Sequence, residues 1–189
     1  GPPSRQNVDR IAQRGTLLTT KVSSQKNVLI SLQDILKAEI ELHQILWEQL
    51  QEEANGFGTL SGNELLKLQR GKDKIVEQVI RQEEKRISLV DQFPRLWPQQ
   101  PSPFTLSVII QLAPTEQARA LQCCFDELQN ILSEIRSLAE HNSLESSARL
   151  KSVEASMRFL TEGSGRQQAT YSGSGELQHS GSKVSRTSV

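Results

Sequence analysis

From Val28 onward the apolar residues recur at a helical period. On a seven-residue grid Leu29, Leu36, His43 and Leu50 share one line, with Leu32 and Leu46 on the next. Ile35, Ile40, Leu42 and Trp47 widen these lines into a broad stripe, so a helix is expected over 28–54. Asn55-Gly56-Phe57-Gly58 supplies its stop, because Asn and Gly tolerate the left-handed cap. Ser61-Gly62-Asn63-Glu64 then has the form of a capping box, and Leu65, Leu68, Ile75 and Val79 open a second face that drifts to Phe93. A second helix follows over 62–93, ended by Pro94, which disfavours helix at the residue before it.

Pro94, Pro98, Pro101 and Pro103 punctuate a connector over 94–114. Within it Thr105-Leu106-Ser107-Val108-Ile109-Ile110 reads either as a short helix over one end of a bundle or as a buried extended run. A third helix is expected over 115–162, with Thr115 as N-cap, Glu116 in the first turn, and Gly163 as its stop. Leu121, Phe125 (or Cys124), Leu128, Leu132 and Ile135 form its core face. Beyond Leu138 the stripe thins to Asn142, Leu144, Ala148, Val153, Met157 and Leu160. Residues 11–27 are rich in Thr and Ser with weak periodicity, and read as loop or frayed helix.

These elements give an all-α fold: an elongated antiparallel three-helix bundle over 26–162 with disordered termini. A flexible basic extension over 1–25 precedes it and a flexible tail over 163–189 follows. At about 1.5 Å per residue the first two helices run roughly 40–50 Å and the third roughly 70 Å, so the third is expected to outreach its companions. Its distal face is then a candidate docking surface, or the finish of the core, or a self-association seam. Asn142 on that line reads equally as a register-setting amide or as a polar contact at the mouth of a partner groove.

Composition narrows the classes. Aromatic residues are 4% and charged residues 23% of 189, which suits long helices better than a sandwich or an α/β enzyme. The net charge of zero is unevenly distributed. Residues 1–27 carry five basic side chains and one acidic, residues 28–162 carry 14 basic and 20 acidic, and the tail carries three basic and one acidic. An acidic body with weakly basic ends is not a nucleic-acid footprint. No apolar run reaches the 18 residues a membrane span requires. Met157 is the first methionine, so Gly1 is read as other than the native start, and residues 1–10 carry no weight in the fold reasoning.

Chemistry finds little footing. His43, His141 and His179 have no metal spacing with one another or with a cysteine. Cys123 and Cys124 are neighbours in a helical pattern and cannot bridge each other; they read as two thiols in a reducing compartment. No enzyme, metal or cofactor is expected. His43, on the apolar line, reads as a satisfied core or rim histidine. Twelve of the 27 residues from Gly163 to Val189 are Gly or Ser, too few apolar groups to offset the entropy of ordering. That tail carries the chain's single tyrosine, Tyr171, in Thr170-Tyr171-Ser172-Gly173-Ser174-Gly175. On a mobile arm Tyr171 is either incidental or a handle for a partner.

Three features together resemble the FlgN family of flagellar type III export chaperones: the paired helices Leu32-to-Ala54 and Leu65-to-Phe93 with Arg70-Gly71-Lys72-Asp73-Lys74, the long third helix with His141-Asn142 before Leu144, and Tyr171-x-Gly173-x-Gly175 ahead of a Ser/Gly stretch with Lys183 and Arg186. The resemblance covers roughly residues 25–189. It implies a cytoplasmic chaperone without ATPase activity that holds the hook–filament junction proteins FlgK and FlgL unpolymerised and delivers them to the export gate. It implies that an amphipathic terminal segment of the client binds the distal third helix, here Asn142, Leu144, Ala148, Val153, Met157 and Leu160. It further implies that Tyr171, with Gly173 and Gly175, docks on the cytoplasmic domain of the gate protein FlhA. The basic extension and the Pro-rich connector depart from the family pattern and inherit no role. The alternative is a structural coiled-coil or adaptor protein that self-associates through the distal third helix.

Overall fold

The computed structural model describes residues 5–56, 58–141 and 147–163. All regular structure among them is helical: α1 (Arg5–Gly56), α2 (Gly62–Val90), α3 (Phe93–Leu96), α4 (Leu106–Leu112), α5 (Thr115–His141) and α6 (Ser147–Thr161). α1 packs on α2 and on α5, α6 packs on α5 and α2, and α4 lies against α5 and α6. α1 and α2 run antiparallel, as the Glu39–Arg86 and Glu53–Lys72 pairs show. α2 and α6 run in the same direction, Glu83 meeting Ser152 and Ser156 and Arg86 meeting Phe159, and α1 lies diagonal to α6. This is a four-helix arrangement, one helix more than the pattern of apolar residues predicts.

The seam of α1 carries that core. Leu29, Leu32, Leu36, Leu46 and Leu50 are buried, as are Leu121, Cys124, Leu128, Leu132 and Ile135 on the facing side of α5. At one end Phe93 stacks on Trp97 with ring centroids 5.1 Å apart and meets Phe104 at 5.8 Å. Burying such rings supplies the apolar area that closes a bundle end.

α2 begins as its sequence dictates. Ser61 Oγ accepts from the Glu64 amide at 3.3 Å and Glu64 Oε2 accepts from the Ser61 amide at 2.7 Å, completing the capping box. It stops at Val90, three residues before the expected end. Pro94 instead sits in the first turn of α3, where a missing N–H costs nothing. Within the connector the 105–110 run is helical: Thr105 caps α4, its Oγ1 accepting from the Val108 amide at 3.1 Å.

Two expectations are corrected. Residues 11–27 are neither loop nor frayed; with residues 5–10 they are the first part of α1, a single helix of 52 residues. Thr16, Thr19 and Thr20 donate their hydroxyls to the carbonyls four residues earlier, at 3.0, 2.9 and 2.9 Å. Hydroxyls that usually compete with the helix therefore join it here. The 115–162 helix is two helices, α5 ending at His141 and α6 starting at Ser147. The rod that outreaches its companions is consequently the start of α1, exposed from Arg5 to Ser23 and roughly 28 Å long.

Candidate functional site

The polar residues on the α1 seam gather the most unusual chemistry in the molecule. Glu39, three residues after Leu36 and four before His43, is fully buried, and so is His43. Arg86 reaches across from α2, its Nη1 donating to Glu39 Oε2 at 3.0 Å. Burial pushes the Glu39 carboxyl up to about 7 against the pull of Arg86. Burial drives His43 down to about 4, against its bond to the Glu39 backbone, so the imidazole is neutral and its Nδ1–H donates to the Glu39 carbonyl at 2.6 Å. His43 is thus a satisfied core histidine. A second buried ion pair, Lys72 with Glu53, joins α2 to the far end of α1.

Arg86 also governs where α6 lies. Its guanidinium stands 4.3 Å from the centroid of the Phe159 ring, a cation–π contact strengthened by desolvation. One turn back on α2, Glu83 Oε1 accepts from Ser156 Oγ at 2.7 Å and from Ser152 Oγ at 3.2 Å. Burial raises the Glu83 carboxyl, and the Ser156 hydroxyl and Arg86 oppose that rise. At the far end of α6, Ser107 of α4 donates to the Leu160 carbonyl at 3.0 Å. Gly163 closes the helix with φ +88, and a Cβ there would stand 2.6 Å from Pro103 Cβ. Only glycine fits both demands. α6 is therefore clasped by two serines, one ring and one backbone carbonyl, on a helix of only 15 residues.

The proposed client residues divide across this geometry. Val153 and Leu160 are buried beneath α6, with Phe159 and Ser156 beside them, and Met157 is half-buried against the core. The face expected to stand free on an overreaching rod is seated within the chain, because α6 lies back along the bundle. Ala148 belongs to α6. Asn142, Leu144, Tyr171, Gly173 and Gly175 lie outside the described residues.

Glu39, Glu53, Lys72, Arg86 and Glu83 were not anticipated as site residues. The seven-residue grid contained the signal for two of them, since Glu39 and Glu53 fall on the lines of Leu32 and Leu46. Among the described residues no group of three His, Cys, Asp or Glu side chains is placed to hold a metal, and no helix is long and apolar enough to cross a membrane. Cys123 is exposed, Cys124 is buried, and both are free thiols.

The described residues form an all-helical bundle in which buried ion pairs join α1 to α2 and the short α6 folds back on the core. The FlgN protein family matches residues 29–179, and the chain belongs to that family of flagellar export chaperones. Neither the curated proteins nor the solved structures contain a match to it.

Proposed function

We infer that the chain binds the hook–filament junction proteins FlgK and FlgL before their export and presents them to the cytoplasmic domain of FlhA. Membership of the FlgN family across residues 29–179 is the observation that carries this reading, because that span takes in α6 and the tyrosine of the tail. The client segment is an amphipathic helix that pairs with the α6 region through Asn142, Leu144, Ala148, Val153, Met157 and Leu160. Val153 and Leu160 become available when α6 lifts from α2, α4 and α5, a movement opposed by the burial of Val153, Phe159 and Leu160 and by several polar contacts. The seat and the freed face then offer the two halves of a helix-in-groove interface. Tyr171, Gly173 and Gly175 engage the gate from beyond α6.

Co-purification tests both halves together. Met157→Asp, at a half-buried position, should abolish recovery of FlgK and FlgL while far-UV circular dichroism and thermal unfolding stay near the parent. Tyr171→Ala should keep client recovery and weaken the FlhA interaction. Client binding that survives Met157→Asp contradicts the α6 assignment, and undiminished gate affinity in Tyr171→Ala contradicts the tail assignment.

A further inference from the structure

The core seam of α1 does not begin where the core begins. Residues 29, 32, 36, 39, 43, 46, 50 and 53, spaced alternately by three and four, are all buried. Counting backwards with the same spacing gives Gln25, Val22, Leu18, Gly15, Ile11 and Val8. Gln25 still touches the body, donating to the Leu96 carbonyl at 2.8 Å. The four apolar members beyond it are exposed: Val22 by 62%, Leu18 by 64%, Ile11 by 68% and Val8 by 53%. Gly15, in the middle of that row, has open space where a Cβ would stand, a ready gap for an incoming side chain. One helix thus carries an uninterrupted coiled-coil seam, filled by α2 and α5 along the body and unfilled along the extension. The family match starts at residue 29, so membership assigns the extension nothing.

Charge selects the occupant. In a heptad register with Val8, Gly15 and Val22 at a and Ile11 and Leu18 at d, the flanking e and g positions are Arg5, Asn7, Ala12, Arg14, Thr19, Lys21 and Lys26. Every charged residue among them is basic. Pairing two copies of this segment would set like charges along the rim in the antiparallel sense, and Lys21 against Lys26 in the parallel sense, where coiled coils place opposite ones. The body of a second copy is acidic, but among the described residues its large exposed apolar side chains are Ile30 and Ile45 on α1 and Leu66 on α2, too scattered to form a stripe. The geometry points to a helix of another protein, apolar at a and d and acidic at e and g, that docks along Val8, Ile11, Gly15, Leu18 and Val22. The surface is separate from the α6 region and does not depend on the client reading.

The full chain can be titrated with two synthetic helical peptides of roughly 24 residues, each with Leu and Ile at a and d, one with Glu and one with Lys at e and g. The Glu peptide should bind at least about tenfold more tightly than the Lys peptide, and its affinity should fall as salt is raised. Ile11→Asp with Leu18→Asp should abolish that binding. Arg14→Glu with Lys21→Glu, which leaves the seam apolar, should shift the preference toward the Lys peptide. Equal affinity for both peptides, binding that persists in the double Asp variant, or a dimer of the parent chain that this variant dissolves would each overturn the proposal.

Discussion

Two buried side chains at the centre of the molecule, His43 and Glu39, have pH dependences that oppose one another. His43 has a folded value near 4 against an ordinary 6.5, so the unfolded chain binds the extra proton and the folded state loses stability as pH falls from about 6.5 to about 4. Glu39 has a folded value near 7 against 4.5. The folded state binds the extra proton there, and stability declines as pH rises from about 4.5 to about 7. Over the shared window the two slopes offset each other. Denaturant unfolding of His43→Gln should reveal this. Relative to the parent, the variant should gain stability as pH falls from 6.5 to 4; a constant difference between the two would show that His43 does not titrate in that window. Arg86 enters both balances, and Glu39 Oε1 and Arg86 Nε have no hydrogen-bond partner among the described residues. Such a network is costly to break from one side.

At the scale of elements, α6 is the shortest of the four helices that pack side by side, 15 residues against 52, 29 and 27. α1 and α5 meet along rows of buried leucines, whereas α6 is seated by Val153, Phe159 and Leu160 in the core together with the hydroxyls of Ser152 and Ser156 and the Ser107 bond. Ser152→Ala with Ser156→Ala removes both hydroxyl donors from the Glu83 carboxyl, at a cost of about 0.5–3 kcal/mol per bond. Trypsin cleavage after the exposed Arg158 should accelerate by roughly tenfold or more, with helicity retained. An unchanged cleavage rate would mean that the two serines do not hold α6 down.

The same element shows how far the sequence could be read. The capping box of α2, the leucine seam of α1 and the core face of α5 were legible because each is a local pattern with a single physical solution. The fold-back of α6 was not, because spaced apolar residues after Leu138 suit both a continued helix and a new one. The N-terminal stretch of α1 was missed for a different reason: Thr and Ser dilute its periodicity, and only the three-and-four spacing through Val8, Ile11, Leu18 and Val22 ties it to the seam. The serine–glutamate clasp had no sequence signature, since it joins residues 69 and 73 positions apart.

As a whole the molecule is a bundle with two unequal attachments. At one end a basic helical rod stands clear of the body, and along one side a short helix is held by three buried apolar side chains and a set of polar contacts. The cross-helix ties differ along the bundle: buried ion pairs join α1 to α2 at Glu53–Lys72 and Glu39–Arg86, while α6 spans only 15 residues. Sub-global opening follows differences in helix length and packing, so α6, the shortest of the four, is expected to open before the others, at the place where a client is proposed to bind.

Hydrogen exchange along the chain, with and without the terminal segment of FlgK or FlgL, tests that claim most directly. Amides of 152–161 should exchange well before those around Leu32 and Leu132 in the free chain, and should become protected when the client is added. Exchange of α6 only in step with global unfolding, or protection unaltered by either client, would contradict it.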